Sequence, residues 1–308
     1  MVMQASLGTA AGPELAGAVS AAGGLGTLGG AWAEPGALRE QIRSVRRVTD
    51  RPFCVNLVLA FDQRERVEVC AEEAVPWVSL SWGADVTLIR RLRGAGCRVM
   101  VQAGSTARAK AAAQAGAHAV MAQGIEAGGH VEGRTGLLAL VRELRRAVSL
   151  PLVAAGGIVD PVGARAALAA GADAVAMGTR FVACQEALVH PHYAGRVVAA
   201  GDDDTVLTGL FDVGWPDAPH RVLRNSTYEA WEAAGRPPAG RRPGEGQPVA
   251  QDPAMGPLPR YAAPLPLRET TGDVEAMALY AGQGAGLIEA VEPAVDILER
   301  FTLALTPA

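Results

Sequence analysis

Aromatic residues are scarce in this chain: Phe, Tyr and Trp together make up 5% of its 308 residues. Glycine (37 residues) and runs of alanine take their place, a composition suited to helices packed closely on a sheet. Only four cysteines occur, Cys54, Cys70, Cys97 and Cys184, each in or beside an apolar run and none at metal-ligand spacing. Buried, inert thiols in a reducing cytoplasm suit that pattern, and no metal site is expected. Basic residues are not in excess (Lys+Arg 28, Asp+Glu 32, net charge -4), and no basic cluster is interleaved with aromatics. That argues against a nucleic-acid partner. No apolar run is long enough to span a bilayer, so no membrane partner is expected. No positive region precedes the first apolar residues, and a signal peptide is not expected either.

What the chain does have is alternation. Strands are expected at Met1–Ala5, Ala21–Gly30, Pro52–Val58, Pro76–Leu80, Arg98–Gln102, His118–Ala122, Leu152–Ala155 and Asp173–Met177. Helical spacing separates them at Pro13–Ser20, Pro35–Val48, Asp62–Ala71, Ala84–Arg93, Thr106–Gln114, Gly136–Ala147 and Pro161–Ala169. Strands alternating with helices imply parallel pairing and right-handed crossovers. Eight such units within roughly 200 residues suit an α/β fold of the (β/α)8 TIM-barrel type better than a doubly wound open sheet. The regularity then breaks. Arg236–Pro266 is rich in Pro, Gly and Arg and reads as a stretch either disordered or wrapped irregularly around the barrel. A terminal helix is expected over Gly286–Phe301. The division this gives is 1–200 plus 272–308 as barrel and C-terminal helix, with 201–271 as an irregular lid or arm.

Polar chemistry is densest just after the sixth strand, in M-A-Q-G-I-E-A-G-G-H from Met121 to His130. Glycines this close together let a backbone approach a ligand and adopt positive φ. His130 is the one group there whose ordinary pKa suits proton transfer near neutrality. In a (β/α)8 barrel, ligands sit at the C-terminal strand ends, and phosphate is held after strands seven and eight. A-A-G-G-I (Ala154–Ile158) and M-G-T-R-F (Met177–Phe181) place glycine turns at those two strands. Together they point to a phosphate-bearing ligand. Asn56, Ser79, Ser81, Gln102 and Gln123 add amides and hydroxyls at other strand ends, a ring suited to a flat heterocycle and not to a metal. Asn56 and Gln123 are expected to face the ligand. His118 reads as structural, and His190 and His192 as a solvated turn.

Q-G-I-E-A-G-G-H, A-A-G-G-I and M-G-T-R-F in this order resemble the FMN-dependent nitronate monooxygenases, once called 2-nitropropane dioxygenases. A-A-G-G-L-G-T-L-G, F-C-V-N-L and W-P-D-A-P-H-R-V-L-R-N-S (Trp215–Ser226) match as well, so the resemblance covers nearly the whole chain. It implies a barrel holding FMN non-covalently. By motif, Asn56, Gln123 and Gly128 would contact the flavin, while Gly156, Gly157, Met177, Gly178 and Thr179 would hold its phosphate. His130 would take the α-proton of a neutral nitroalkane or orient its nitronate, and reaction with O2 would give a carbonyl compound and nitrite. The chain departs from the family pattern at Ala5-Ser6-Leu7, where Ala-Pro-Met is usual, and at Ala176, where Gln is frequent.

Two other readings stand beside this one. Flavin-type enoyl-acyl-carrier-protein reductases, which use NAD(P)H, carry a similar E-A-G-G-H motif. A barrel that binds a phosphorylated ligand without turning it over is the other. Oligomeric state is open, a homodimer included.

Overall fold

The computed structural model describes residues 1–305; the last three residues of the expected barrel unit, 306–308, lie outside them. Eight parallel strands form the centre: β1 (Val2–Gln4), β2 (Thr27–Gly29), β3 (Cys54–Val58), β4 (Trp77–Ser81), β5 (Arg98–Ala103), β6 (Ala119–Gln123), then, after a short β7 (Gly129–His130), β8 (Leu152–Ala155) and β9 (Ala174–Met177). Their order is β1-β9-β8-β6-β5-β4-β3-β2. The two ends meet. A parallel bridge joins Met3 to Leu25, where the Gln4 N–H donates to the Leu25 carbonyl and the Leu25 N–H to the Val2 carbonyl, both at 3.0 Å. The Gln4 and Thr27 side chains tie the same seam at 2.7 Å. A closed barrel, not an open sheet, is the result.

The helices α1 (Pro13–Ala21), α2 (Pro35–Val48), α3 (Arg64–Glu72), α4 (Val86–Gly94), α5 (Thr106–Ala115), α6 (Leu137–Ala147) and α7 (Pro161–Ala169) wrap the strands. Their ends follow local chemistry. Asp85 accepts from the Thr87 and Leu88 N–H groups ahead of α4, Ser105 caps α5 and Asp160 caps α7. Gly116 closes α5 at φ +92°, the left-handed residue that an Ala-Gly pair before a strand supplies. On α2 the apolar face (Leu38, Ile42, Val45) is fully buried, while Arg39, Arg43 and Arg46 turn outward and converge on Glu73.

Two apolar layers result. Outward-facing strand residues and the helices make the large core, with Val55, Leu57, Val101, Val120 and Leu140 fully buried. The barrel interior is lined by Met3, Leu25, Cys54, Met100, Ala119, Met121, Ala155 and Ala176. All four cysteines are buried and free, and burial pushes the Cys54 thiol up to about 12. Because several inner side chains are only alanines, the interior stays open toward the C-terminal strand ends.

The stretch after β9 carries more regular structure than its composition led us to expect. It holds α8 (Thr179–Val182), α9 (Pro191–Val198), β10 (Thr205–Thr208), β11 (His220–Leu223), α10 (Ser226–Ala233), β12 (Pro248–Asp252), β13 (Gly256–Pro259) and β14 (Thr271–Gly272). The Pro/Gly/Arg-rich part is ordered around one buried guanidinium. Arg242 donates to the Leu210 carbonyl at 3.0 Å and to Asp212 at 2.9 Å, grips Glu245 and lies 4.3 Å over the Tyr261 ring. The terminal helix α11 spans Ala294–Leu305, not Gly286–Phe301. Pro293 explains the shift: it cannot sit inside a helix, but its carbonyl opens this one by accepting from the Ile297 N–H. Among the described residues no helix is long and apolar enough to cross a membrane, and no cluster of His, Cys, Asp and Glu could hold a metal ion.

Candidate active site

A cavity of about 480 Å³ opens at the C-terminal end of the barrel, within the usual range for small-molecule sites. Asn56, Gln123, Gly128, His130, Gly156, Gly157, Gly178 and Thr179 all line it. The sequence scattered these residues over more than 120 positions, and the strand ends bring them to one mouth. Met177 is the exception and corrects the reading of its motif. Successive strand side chains point to opposite faces. Ala176 therefore faces the cavity, and Met177 packs outward in the helix-facing core, 1% exposed.

No Asp, Glu, Lys or Arg is among the lining residues. A phosphate there would meet only neutral donors. Gly156 (φ +128°) and Gly157 (φ +68°) turn sharply after β8, and the Thr179 hydroxyl accepts from the Gly282 N–H at 3.0 Å, which leaves its own hydrogen free to donate. Backbone N–H groups in such turns bind anions without a counter-charge. Residues 280–284 press onto this region so closely that side chains are excluded. A Cβ on Gly128 would lie 2.6 Å from the Gly282 nitrogen, and one on Gly284 would lie 2.4 Å from the Gly157 oxygen.

The loop carrying His130 is held from several sides. Gln123 donates to the His130 carbonyl at 3.0 Å, and its own oxygen accepts from Gln102 at 3.1 Å and from the Glu132 N–H at 3.2 Å. Gln123 thus faces the cavity and also clamps the loop, with one N–H left over. Gln102 supports Gln123. Asn56 donates to the Ser79 hydroxyl at 2.9 Å. Glu126, the acid of the histidine motif, caps α6 through the Leu137 N–H (2.9 and 3.0 Å). β7 pairs antiparallel with β11, setting His130 opposite His220.

His220 is fully buried, its Nδ1 2.9 Å from the Ala218 carbonyl and its Nε2 accepting from the Phe211 N–H at 3.2 Å. Arg221, also buried, donates to the Ile125 carbonyl. His118 accepts from the Val99 N–H, as a structural role requires; His190 and His192, expected in a solvated turn, instead open α9, with His190 accepting from the His192 N–H and His192 paired with Glu275.

His130 itself is partly buried. Its Nε2 is covered and has no hydrogen-bond partner. The Trp215 ring is stacked on its imidazole, centroids 3.9 Å apart and planes 20° from parallel. Burial first, and the neighbouring His220 second, push the His130 pKa down to about 3. The ring is neutral at physiological pH. Sequence reasoning passed over Trp82, Trp215, His220 and Tyr280, all packed around His130. The available signal was the use of three tryptophans, Trp32, Trp82 and Trp215, immediately beside glycine or in loops of a chain so poor in aromatics.

The family profile described as nitronate monooxygenase matches residues 1–65 and 59–304. The chain belongs to that family. The nitronate monooxygenase of Pseudomonas aeruginosa is 36% identical over 347 aligned positions, which cover 96% of this chain and 93% of that protein. A (3aS,4S,5R,7aS)-5-hydroxy-7a-methyl-1-oxo-octahydro-1H-indene-4-carboxyl-CoA dehydrogenase of Mycobacterium tuberculosis is 39% identical over 238 positions. That match takes in 76% of this chain and 66% of the dehydrogenase, just under two thirds of its length. Among solved structures, FabK from Thermotoga maritima superposes with a TM-score of 0.81 at 34% identity, over 98% of this chain and 91% of that one. The barrel is thus shared with FabK, and about a third of the sequence with the Pseudomonas aeruginosa nitronate monooxygenase.

Proposed function

We propose that the cavity holds FMN and that the chain oxidises alkyl nitronates with O2, giving a carbonyl compound and nitrite. Support for the cofactor comes from the neutral glycine turns at Gly156–Gly157 and Gly178–Thr179, the backbone contact at Gly128, and the amides of Asn56 and Gln123. Bound there, FMN would supply the redox chemistry, and the protein supplies position and electrostatics.

The observation that carries the reading is the unpartnered, buried Nε2 of His130 in a cavity without charged walls. A conjugate acid with a pKa of about 3 gives up its proton readily, so neutral His130 is a weak base toward a nitroalkane carbon. A nitronate arrives already deprotonated. Toward it the imidazole needs only to donate an N–H to a nitro oxygen, and it does so in a dry setting where that bond is strong. Nitronate is accordingly the preferred substrate, with neutral nitroalkane turned over more slowly.

A second reading is reduction of a thioester-conjugated alkene, favoured by the similarity to FabK and to a dehydrogenase of a carboxyl-CoA ester. The uncharged lining counts against it, because NAD(P)H would bring further phosphates to walls with no Arg or Lys. One experiment separates the readings. Purified protein is expected to be yellow, and under air to release nitrite from ethyl nitronate without consuming NAD(P)H in the presence of a crotonyl thioester. The reverse pattern would transfer the assignment to the reductase, and a colourless protein with neither activity would leave only a binding role.

A further inference from the structure

Six of the chain's fourteen aromatic residues line this one cavity: Trp32, Phe61, Trp82, Tyr193, Trp215 and Tyr280. Trp215 is the hub. Its ring lies 5.1 Å from Phe61, 5.2 Å from Trp82 and 6.3 Å from Trp32, besides stacking on His130. The rings touch one another at steep angles, so they make a continuous wall and not a cage around a cation. Part of the wall is wet: Trp32 is 45% exposed, Phe61 36% and Met255, at the same mouth, 46%. Solvated rings beside a reacting site are unfavourable until something apolar covers them.

The backbone is bent to put them there. Trp82 sits at φ +61°, a region bulky residues rarely adopt, and Trp215 is flanked by Gly214 at φ +99° and Asp217 at φ +56°. Strain of this kind persists where the surroundings enforce it and collects at functional sites. Two further facts bear on what the wall does. Nε2 of His130 is buried and unpartnered, and the stacked indole occupies one face of its ring. The cavity walls carry no charge, so the group that replaces the indole gains nothing from being ionic.

We propose that Trp215 holds the place of a flat, uncharged ring system borne by the substrate. On binding, that ring stacks against His130 and the Trp82–Phe61–Trp32 wall, and Trp215 turns aside at Gly214 and Asp217. Resting on the nitronate reading above, this assigns the enzyme to ring-bearing nitronates and makes Trp215 a gate that small nitronates open poorly.

The test uses the flavin-loaded protein and two nitronates, those of phenylnitromethane and nitroethane, with 1-indanone as a neutral ring probe that is not turned over. The wild type is expected to prefer the phenyl nitronate by at least about tenfold in kcat/KM, and 1-indanone to change the tryptophan emission saturably. Trp215→Ala is expected to raise kcat/KM for ethyl nitronate several-fold, because His130 is uncovered, and to remove most of the emission change. Phe61→Leu, which keeps an apolar side chain at a partly exposed position, is expected to lower the phenyl-to-ethyl ratio about fivefold. An unmoved ratio in both variants, or no saturable response to 1-indanone, overturns the proposal. If neither nitronate is oxidised while 1-indanone binds and Trp215→Ala abolishes its signal, the ring subsite stands and the nitronate reading falls.

Discussion

His130→Ala lowers kcat/KM for an alkyl nitronate by two to three orders of magnitude, while the protein keeps its flavin. The size is that expected from deleting one donor aimed at developing or resident negative charge in a dry site, roughly 10²–10³-fold. Retention of flavin follows from geometry. Its main-chain bonds to His220 and Gln123 do not involve the imidazole, so the loop keeps its place without the ring. His130→Asn separates two roles. A carboxamide can donate to a nitro oxygen but cannot serve as a base, so Asn should restore part of the nitronate rate and none of the nitroalkane rate. Equal recovery of both rates, or neither rate changing in His130→Ala, removes His130 from the chemistry. Stopped-flow reduction of the flavin by each substrate is the measurement.

The same burial fixes two pH dependences. With the His130 pKa near 3, kcat/KM for preformed nitronate should show no histidine inflection between roughly pH 5 and 8. Stability behaves differently. The folded pKa lies below the ordinary value of 6.5, so the unfolded chain takes up the proton first. The contribution is complete above about pH 6.5 and is lost as pH falls toward 3, by up to about 1.4 kcal/mol per pH unit. His220, also depressed by burial, acts in the same direction. Urea midpoints should therefore fall on acidification, and His130→Phe should flatten that slope. A slope unchanged in His130→Phe would contradict the burial argument.

The barrel was legible because local rules generate it. Apolar runs of strand length, helical spacing on α2 and α6, and Ala-Gly pairs at helix ends each act over a few residues, and the closed sheet satisfies all of them. The His130 loop and both glycine turns were legible for the same reason, since each follows directly on a strand. What could not be read depends on distant partners. β11 joins the barrel through its pairing with β7, ninety positions earlier, and that pairing carries Trp215 onto His130. Likewise Arg236–Pro266 looks disordered by composition, and Arg242 organises it through Leu210 and Asp212, some thirty residues away. Met177 was misplaced for a different reason: a motif was taken as a block, although the pleat sends adjacent residues to opposite faces. Gln123 shows the remaining gap. Its position was readable, but not that three of its bonds go to the protein.

Gly128→Ala is expected to lower flavin affinity at least tenfold and the melting temperature by several degrees. The added Cβ would sit 2.6 Å from the Gly282 nitrogen and 2.7 Å from the Ala281 carbonyl carbon, both backbone atoms that cannot rotate away. Yielding means moving residues 280–284, which are tied down by the Gly282 N–H to the Thr179 hydroxyl and the Gln283 N–H to the Glu126 carbonyl, each at 3.0 Å. Thr179 is in the proposed phosphate turn, so the strap cannot lift without disturbing it. Overpacking of this kind costs about 1–3 kcal/mol, and in a chain of this length each kcal/mol shifts melting by roughly 1.5 °C. Gly129→Ala is the control. Its φ of +75° makes alanine unfavourable by about 1–2 kcal/mol, but a Cβ there meets nothing within 4 Å. It should lose comparable stability and keep its flavin. Similar flavin loss in both variants would mean that loop conformation, and not contact with the strap, governs the cofactor, and retention of flavin by Gly128→Ala would detach the strap from the binding site altogether.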